Sequence, residues 1–398
     1  YPQGPLLERT ISEPTSLYND LLPILRDADL RVVNLEAPLS DRGSPIPKDG
    51  PNHRLPPAAI AGLSVVPIDL ACLANNHILD FGPEALRDSL DQLGERGIDT
   101  VGAGMSPEDA WRPAIRTISG LTVGIVNFSE GEDGTAAVYG PGVCGWEPDR
   151  IVRAVASAKE RCDLVIAVGH GGKEYVPAPP PYFHRLCRSV AESGADFVVG
   201  HHPHVPQGAE IHAGVPIVYS LGNFVLRMRG GSVFRRRGLL LSIGIRDRRV
   251  AGFELIPFSI SSDGLETLPD REQRWLLEQL RQASEILADP LRVREVWHAF
   301  LDRFEPGWWR RPTPGISSGP SLRGLLGSLR RPGARDSRRR RKAIKIRNRF
   351  VTPAHHHFLS DGLARMSSGT LGDAPPWAQE LVASWLELDE SGLEDLLA

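Results

Sequence analysis

At 398 residues, with 41% hydrophobic and 24% charged side chains and a formal net charge of −3, the chain is long enough for a large buried core. It is too apolar for disorder and too nearly neutral for a global nucleic-acid footprint. The four cysteines, Cys72, Cys144, Cys162 and Cys187, form no CxxC pair, which argues against a zinc ribbon or a disulfide scaffold.

No apolar run reaches the roughly 18 residues that span a bilayer, and no secretory leader opens the chain. A cytoplasmic protein is therefore expected, with no membrane contact within the given chain and no nucleic-acid partner. Because the chain begins at Tyr1 rather than Met, an upstream Gly-Asp strand or anchor is left open.

In chain order, a helix is expected over 17–28 and a strand over 30–36 that ends in Asn34-Leu35-Glu36. A strand over 65–73 runs into Asn75-Asn76-His77. A helix follows over 83–97, with Pro83 in its first turn and Gly97 at its stop. Strands at 98–102 and 121–128 precede a helix at 148–161. The strand 163–169 delivers His170, and a helix at 181–193 leads to the strand 196–201, which delivers His201, His202 and His204. Strands at 215–221, 238–246 and 250–258 complete the pattern, the first leading to Asn223. Alternating short strands and amphipathic helices predict a layered α/β domain over residues 1–262.

From 263 to 398 the strands stop. Helices are expected at 270–287, 291–304 and 376–397 around a Gly, Pro and Arg-rich middle, forming a helical appendage. Its basic loop, 323–349, includes Arg338, Arg339, Arg340, Arg341 and Lys342. It reads either as a solvated loop or as a dock for an acidic or phosphate-bearing partner. Trp297, Trp308, Trp309, Trp377 and Trp385 read as helix packing, or as flat surfaces for an extended peptide.

Polar clusters fall repeatedly at the C-terminal ends of strands, where open α/β sheets gather ligands. One carboxylate, one carboxamide and several imidazoles make a mixed N/O set suited to Mn, Fe or Zn, or with fewer imidazoles to Mg or Ca. In His202-Pro203-His204 an extended backbone would project both rings to one side.

The blocks Asn34-Leu35-Glu36-Ala37-Pro38, Asn75-Asn76-His77-Ile78-Leu79-Asp80-Phe81-Gly82, Gly169-His170-Gly171-Gly172, His201-His202-Pro203-His204 and Gly222-Asn223-Phe224 resemble, in order and spacing, the CapA family. The resemblance implies a calcineurin-like metallophosphoesterase sandwich of mixed sheets flanked by helices. It also implies a role in poly-γ-glutamate capsule synthesis, or, in one branch, peptide epimerisation in ribosomal (lasso) peptide pathways. By that resemblance Glu36, Asn76, His170, His202 and His204 are metal ligands, and His77 is an acid or base oriented by Asp80.

Two departures stand out. No Gly-Asp motif precedes Asn34, and Gly171 stands where the family usually has Trp, which would leave more room beside the metal.

Epimerisation at a peptidyl Cα requires acid/base groups on both faces of the substrate. His77 with Asp80 is expected to form one pair, and His170 or His202 with Glu174 the other. The first expectation is thus a metal-dependent epimerase acting on a peptide substrate. The alternatives are a metal-dependent phosphoester or amide hydrolase, and a protein that assembles or binds poly-γ-glutamate. Metal identity, modified residue and oligomeric state are left open.

Overall fold

The computed structural model describes residues 2–48, 50–132, 134–228, 230–304, 343–344 and 346–397. Strands β1 (Val32–Asn34), β2 (Leu70–Cys72) and β3 (Asp99–Val101) form a parallel sheet in that order. The short β4 (Ala103–Gly104) pairs with β7 (Gly142–Val143). A larger sheet is built from β5 (Ala114–Ile118), β6 (Leu121–Ser129), β8 (Leu164–His170), β9 (Phe197–His201), β10 (Ala209–His212) and β11 (Val215–Val218). Its order is β10-β11-β9-β8-β6-β5, parallel through its middle and antiparallel at both edges. A third, antiparallel sheet joins β12 (Arg237–Arg246), β13 (Arg249–Ile260) and β14 (Leu265–Thr267).

Helices α1 (Pro5–Ser12), α2 (Pro14–Tyr18) and α3 (Leu21–Asp27) precede β1, and α4 (Ile60–Val65) and α5 (Gly82–Gly94) flank β2. The helix α6 (Pro107–Trp111) leads into β5, while α7 (Pro148–Lys159) and α8 (Pro181–Glu192) are the crossovers of the larger sheet. The C-terminal part contains α9 (Asp270–Leu287), α10 (Pro290–Asp302), α11 (Pro353–Ser368), α12 (Pro376–Glu387) and α13 (Glu390–Leu397).

The two-residue period of the strands sorts the core into layers. Along β8, Ile166 and Val168 face one way, toward Leu70, Cys72 and Val101 of the first sheet. The intervening Val165 and Ala167 belong to a different cluster that includes Ile151 and Val155 of α7 and Val190 of α8. On β9 and β11, Phe197, Val199 and Val218 meet Leu241, Phe253 and Leu255 of the third sheet. The result is the expected α/β sandwich of mixed sheets flanked by helices. Every expected strand forms, and the parallel strands send their C-terminal ends to a common edge.

The differences have local causes. The strand expected over 65–73 is shorter: Val65 closes the helix Ile60–Val65, and only Leu70–Cys72 pairs. A short apolar run fits a buried helix as well as a strand. The helix expected at 17–28 breaks at Asn19, whose φ of 42° is left-handed. The helix expected at 376–397 is interrupted between Glu387 and Glu390. Within the stretch read as irregular, α11 forms, opened by Pro353 and closed by Gly369 at φ 72°.

One hydrophobic cluster runs from Leu6 through Phe258 to Trp297, Phe358 and Val382, so the C-terminal helices share the core of the sheets. Trp297 is buried and its indole N–H donates to Asp361 (2.9 Å). Trp385 is fully buried and stacks on Phe234 at 3.9 Å. Both therefore pack helices. Trp377 lies half-buried beneath Arg292. Trp308, Trp309 and Arg323–Lys342 of the basic loop lie outside the described residues. Among the described residues no helix is long and apolar enough to cross a membrane.

Candidate metal centre

Adjacent parallel strands set the first two contributors. Asn34 of β1 is in register with Cys72 of β2. Just past these positions the Asn75 side chain donates to the carbonyl of Leu35 (2.8 Å) and accepts from the backbone N–H groups of His77 (3.1 Å) and Ile78 (2.9 Å). This Asx turn pins Glu36 beside Asn76. The larger sheet brings the imidazoles: His170 ends β8 in register with His201, which ends β9. Buried Asn127 joins the two halves, accepting from Ala74 N–H (2.7 Å) and donating to the carbonyl of Val168 (2.9 Å).

Glu36, His170 and His202 each place a ligand atom within 4.8 Å of the others. His170 Nε2 lies 3.4 Å from Glu36 Oε1 and 3.0 Å from Asn76 Oδ1, so the carboxamide joins the same set. Glu36 Oε1, His170 Nδ1 and His202 Nδ1 are buried without a hydrogen-bond partner among the described residues. Orphaned buried polar atoms are rare in folded proteins, and three of them on the residues of this set suit a cation.

The electrostatics agree. Burial raises the Glu36 carboxyl, but adjacent His170, then His204 and His77, outweigh it and hold the group well below the usual carboxylate range. Burial, assisted by His170 and His204, brings His202 down to about 3, and burial with His170 brings His201 down to about 4. An ionised Glu36 and a neutral His202 are in the protonation states that metal ligation requires.

His204 stands apart from the three-residue set. Its ring centroid is 6.0 Å from that of His202, and Nδ1 lies 2.9 Å from Asn223 Oδ1. The Asn223 amide nitrogen donates to the carbonyls of His204 and Arg235, so its oxygen accepts and His204 Nδ1 carries the proton. A neutral ring then keeps its lone pair on Nε2. The extended geometry expected for His202-Pro203-His204 is not found: both histidines have left-handed backbone, φ 100° and 58°. Such backbone is strained for residues bearing a Cβ and concentrates at functional sites. The extra room expected at Gly171 is absent too, because a Cβ there would come within 2.5 Å of Glu130 Oε1 and 2.9 Å of Phe183.

Beside the set, His77 Nδ1 lies 2.7 Å from Asp80 Oδ2, as the spacing suggested. Sequence reasoning missed Lys48, whose buried ammonium donates to Asp80 Oδ1 (2.7 Å) and to the carbonyl of Asn76 (2.9 Å). His53 is also new: its backbone N–H donates to Asp80 Oδ2 (2.6 Å), and its ring packs 4.6 Å from that of His77. Neither sits at a strand end, so nothing in the pattern marked them. Burial holds His77 below the ordinary imidazole range, Lys48 adding to this while Asp80 and Glu36 oppose it.

Glu174 pairs with Lys173 at 2.5 Å. Burial raises its carboxyl, but Lys173 and His202 dominate and leave it ionised far below the usual range. Glu130, directly after β6, was legible by the strand-end signal yet overlooked. It accepts from Gly172 N–H (2.6 Å), Tyr182 O–H (2.9 Å) and Ala354 N–H (2.8 Å), while burial pushes it up to about 7.

A narrow cleft with about 40 Å³ of room is lined by Asn76, His170, His202, Glu174 and Glu130, and also by Thr352, Ala354 and His355 from the C-terminal part.

Residues 4–228 match the family model described as bacterial capsule synthesis protein PGA_cap. The chain is 30% identical over 249 residues to the PGA biosynthesis protein CapA of Bacillus subtilis (strain 168), covering 62% of this chain and 65% of that protein. It is 31% identical over 194 residues to the capsule biosynthesis protein CapA of Bacillus anthracis, covering 47% of each. The chain thus spans about half to just under two thirds of these relatives. A 5'-nucleotidase precursor from Thermus thermophilus overlays with a TM-score of 0.34 at 15% identity, covering 57% of this chain and 45% of that one. With more than half of its length matched by the family model, the chain belongs to the bacterial capsule synthesis protein PGA_cap family.

Proposed function

We propose that the protein is a metal-dependent enzyme of glutamate-polymer synthesis, which hydrolyses amide bonds of an amino-acid chain whose end enters its cleft. The observation that carries this reading is the convergence of Glu36, Asn76, His170 and His202 beside the oriented His77–Asp80 pair. The relatives' names, which refer to PGA and capsule biosynthesis, supply the polymer class. Held by those four residues, a divalent ion would polarise a carbonyl or carboxylate oxygen. His77, with Asp80 fixing its tautomer, exchanges a proton with the bound chain, and Glu174 balances the charge near His202.

The same oriented imidazole favours a second reading, epimerisation at a peptidyl Cα in a modified peptide. Removal of a Cα proton needs a fixed base beside a polarised carbonyl. Incubation of poly-γ-glutamate and of a synthetic peptide in deuterated water, with and without chelator, separates the two. Metal-dependent appearance of new amino termini supports cleavage of the polymer, and deuterium gain at one Cα supports epimerisation. Neither change with any metal would sink both readings.

A further inference from the structure

The residues that roof the cleft come from beyond the family-matched part of the chain. Thr352, Ala354 and His355, at the start of α11, line the same cleft as Asn76, His170 and His202. The roof is seated by the cleft's own acids: Glu130 accepts from Ala354 N–H (2.8 Å), and Glu132 from the Asn348 side chain (2.5 Å). Glu132 also lies 3.8 Å from Lys48, the partner of Asp80. One turn further, His357 stacks on Tyr182 with ring centroids 4.3 Å apart, and Tyr182 itself donates to Glu130. The helix is thus tied to the site at several points.

Of the roof residues lining the cleft, His355 alone carries an imidazole, whose ring nitrogens can donate or accept a hydrogen bond. His355 shares this cleft with His170 and His202. The three acids of this lining are engaged: Glu130 by Gly172, Tyr182 and Ala354, Glu132 by Asn348, and Glu174 by Lys173.

We propose that His355 is a further residue of the metal centre, contributed by the C-terminal helix, which hydrogen-bonds an oxyanion placed between the roof and the Glu36–His170–His202 set. This inference rests on the metal-centre reading above and adds a ligand contact to it.

The test uses the full chain, stripped of metal, reloaded with Mn²⁺ and carrying ¹⁵N-labelled histidine. Imidazole resonances are assigned through single His→Gln variants. Paramagnetic broadening of the His355 signals together with those of His170 and His202 is expected, while His212, at the end of the edge strand β10, stays sharp. Inorganic phosphate is then titrated into Mn²⁺-loaded wild type, His355→Ala and His355→Gln. Phosphate affinity should fall about tenfold or more in His355→Ala and be partly restored in His355→Gln, with Mn²⁺ uptake unchanged in both. Mn²⁺ uptake without broadening at His355, or equal phosphate affinity in all three proteins, overturns this inference and leaves the metal centre standing. Failure of the wild type to take up Mn²⁺ overturns both.

Discussion

Lys48 and Asp80 form a salt bridge of 2.7 Å with side chains 1% and 0% exposed, tying a distant loop to the turn after β2, and the second oxygen of the same carboxylate holds His77. A buried pair of this kind is weak as a source of net stability, but removing one partner strands the other charge. Asp80→Ala should therefore lower unfolding free energy by about 3–5 kcal/mol in urea titration. The double change Lys48→Met, Asp80→Leu should recover part of that loss. An unchanged midpoint in Asp80→Ala would mean that the pair is not buried as described.

His77 lies beside the ligand set rather than within it. His77→Ala should reduce turnover of the polymer or peptide by about 10²- to 10⁴-fold, the usual range for a positioned acid or base, and leave metal content intact. Metal analysis alongside the rate measurement checks the assignment. Loss of metal in this variant would place His77 among the ligands instead.

Asn127 touches no ligand side chain, yet it ties Ala74, ahead of Asn76, to Val168, ahead of His170. Asn127→Leu leaves a buried N–H and a buried carbonyl without this partner, which costs about 1–3 kcal/mol for each unsatisfied group. We expect lower stability and weaker Mn²⁺ binding by calorimetry, although every ligand remains. Metal affinity equal to wild type would show that the two halves of the site are held by other contacts.

A pH effect follows from Glu210. Burial raises its carboxyl, but hydrogen bonds from His184, Arg188 and Tyr219 prevail and bring it down from 4.5 to about 2. His184 and Arg188 also reach the Leu287 carbonyl at the end of α9, so the cluster fastens the C-terminal helices to the sheet. Because the folded-state value is depressed, the stabilisation is complete above the unfolded value of 4.5 and is lost as pH falls from there toward 2. Denaturation between pH 5 and 2 should be steeper in wild type than in Glu210→Gln. Parallel pH curves would remove Glu210 from the account of acid sensitivity.

Much of this was legible in the sequence because parallel strands obey two simple rules. Their side chains alternate, and their C-terminal ends share an edge, so Glu36, Asn76 and His170 could be placed together from strand endings alone. His77 and Asp80 were readable because a three-residue spacing becomes a contact in a turn. Lys48 and His53 were not, since a loop of Pro, Gly and polar residues carries no period that says where it folds back. His355 was hidden for another reason: the Gly, Pro and Arg-rich stretch before it masks Pro353 and Gly369, which bracket α11 in plain helix-boundary positions. The His202-Pro203-His204 geometry failed because an extended backbone was assumed where the chain turns through left-handed residues. The space beside Gly171 is filled by Glu130 and Phe183, side chains distant in sequence from the glycine or separated from it by a helix boundary.

The most direct measurement is the metal stoichiometry and affinity of chelator-stripped protein, compared among wild type, Glu36→Gln, His170→Ala and His202→Ala. Wild type is predicted to take up a divalent cation tightly and each variant to bind it far more weakly while remaining folded by circular dichroism. Equal uptake by all four folded proteins would contradict a cation site at Glu36, His170 and His202.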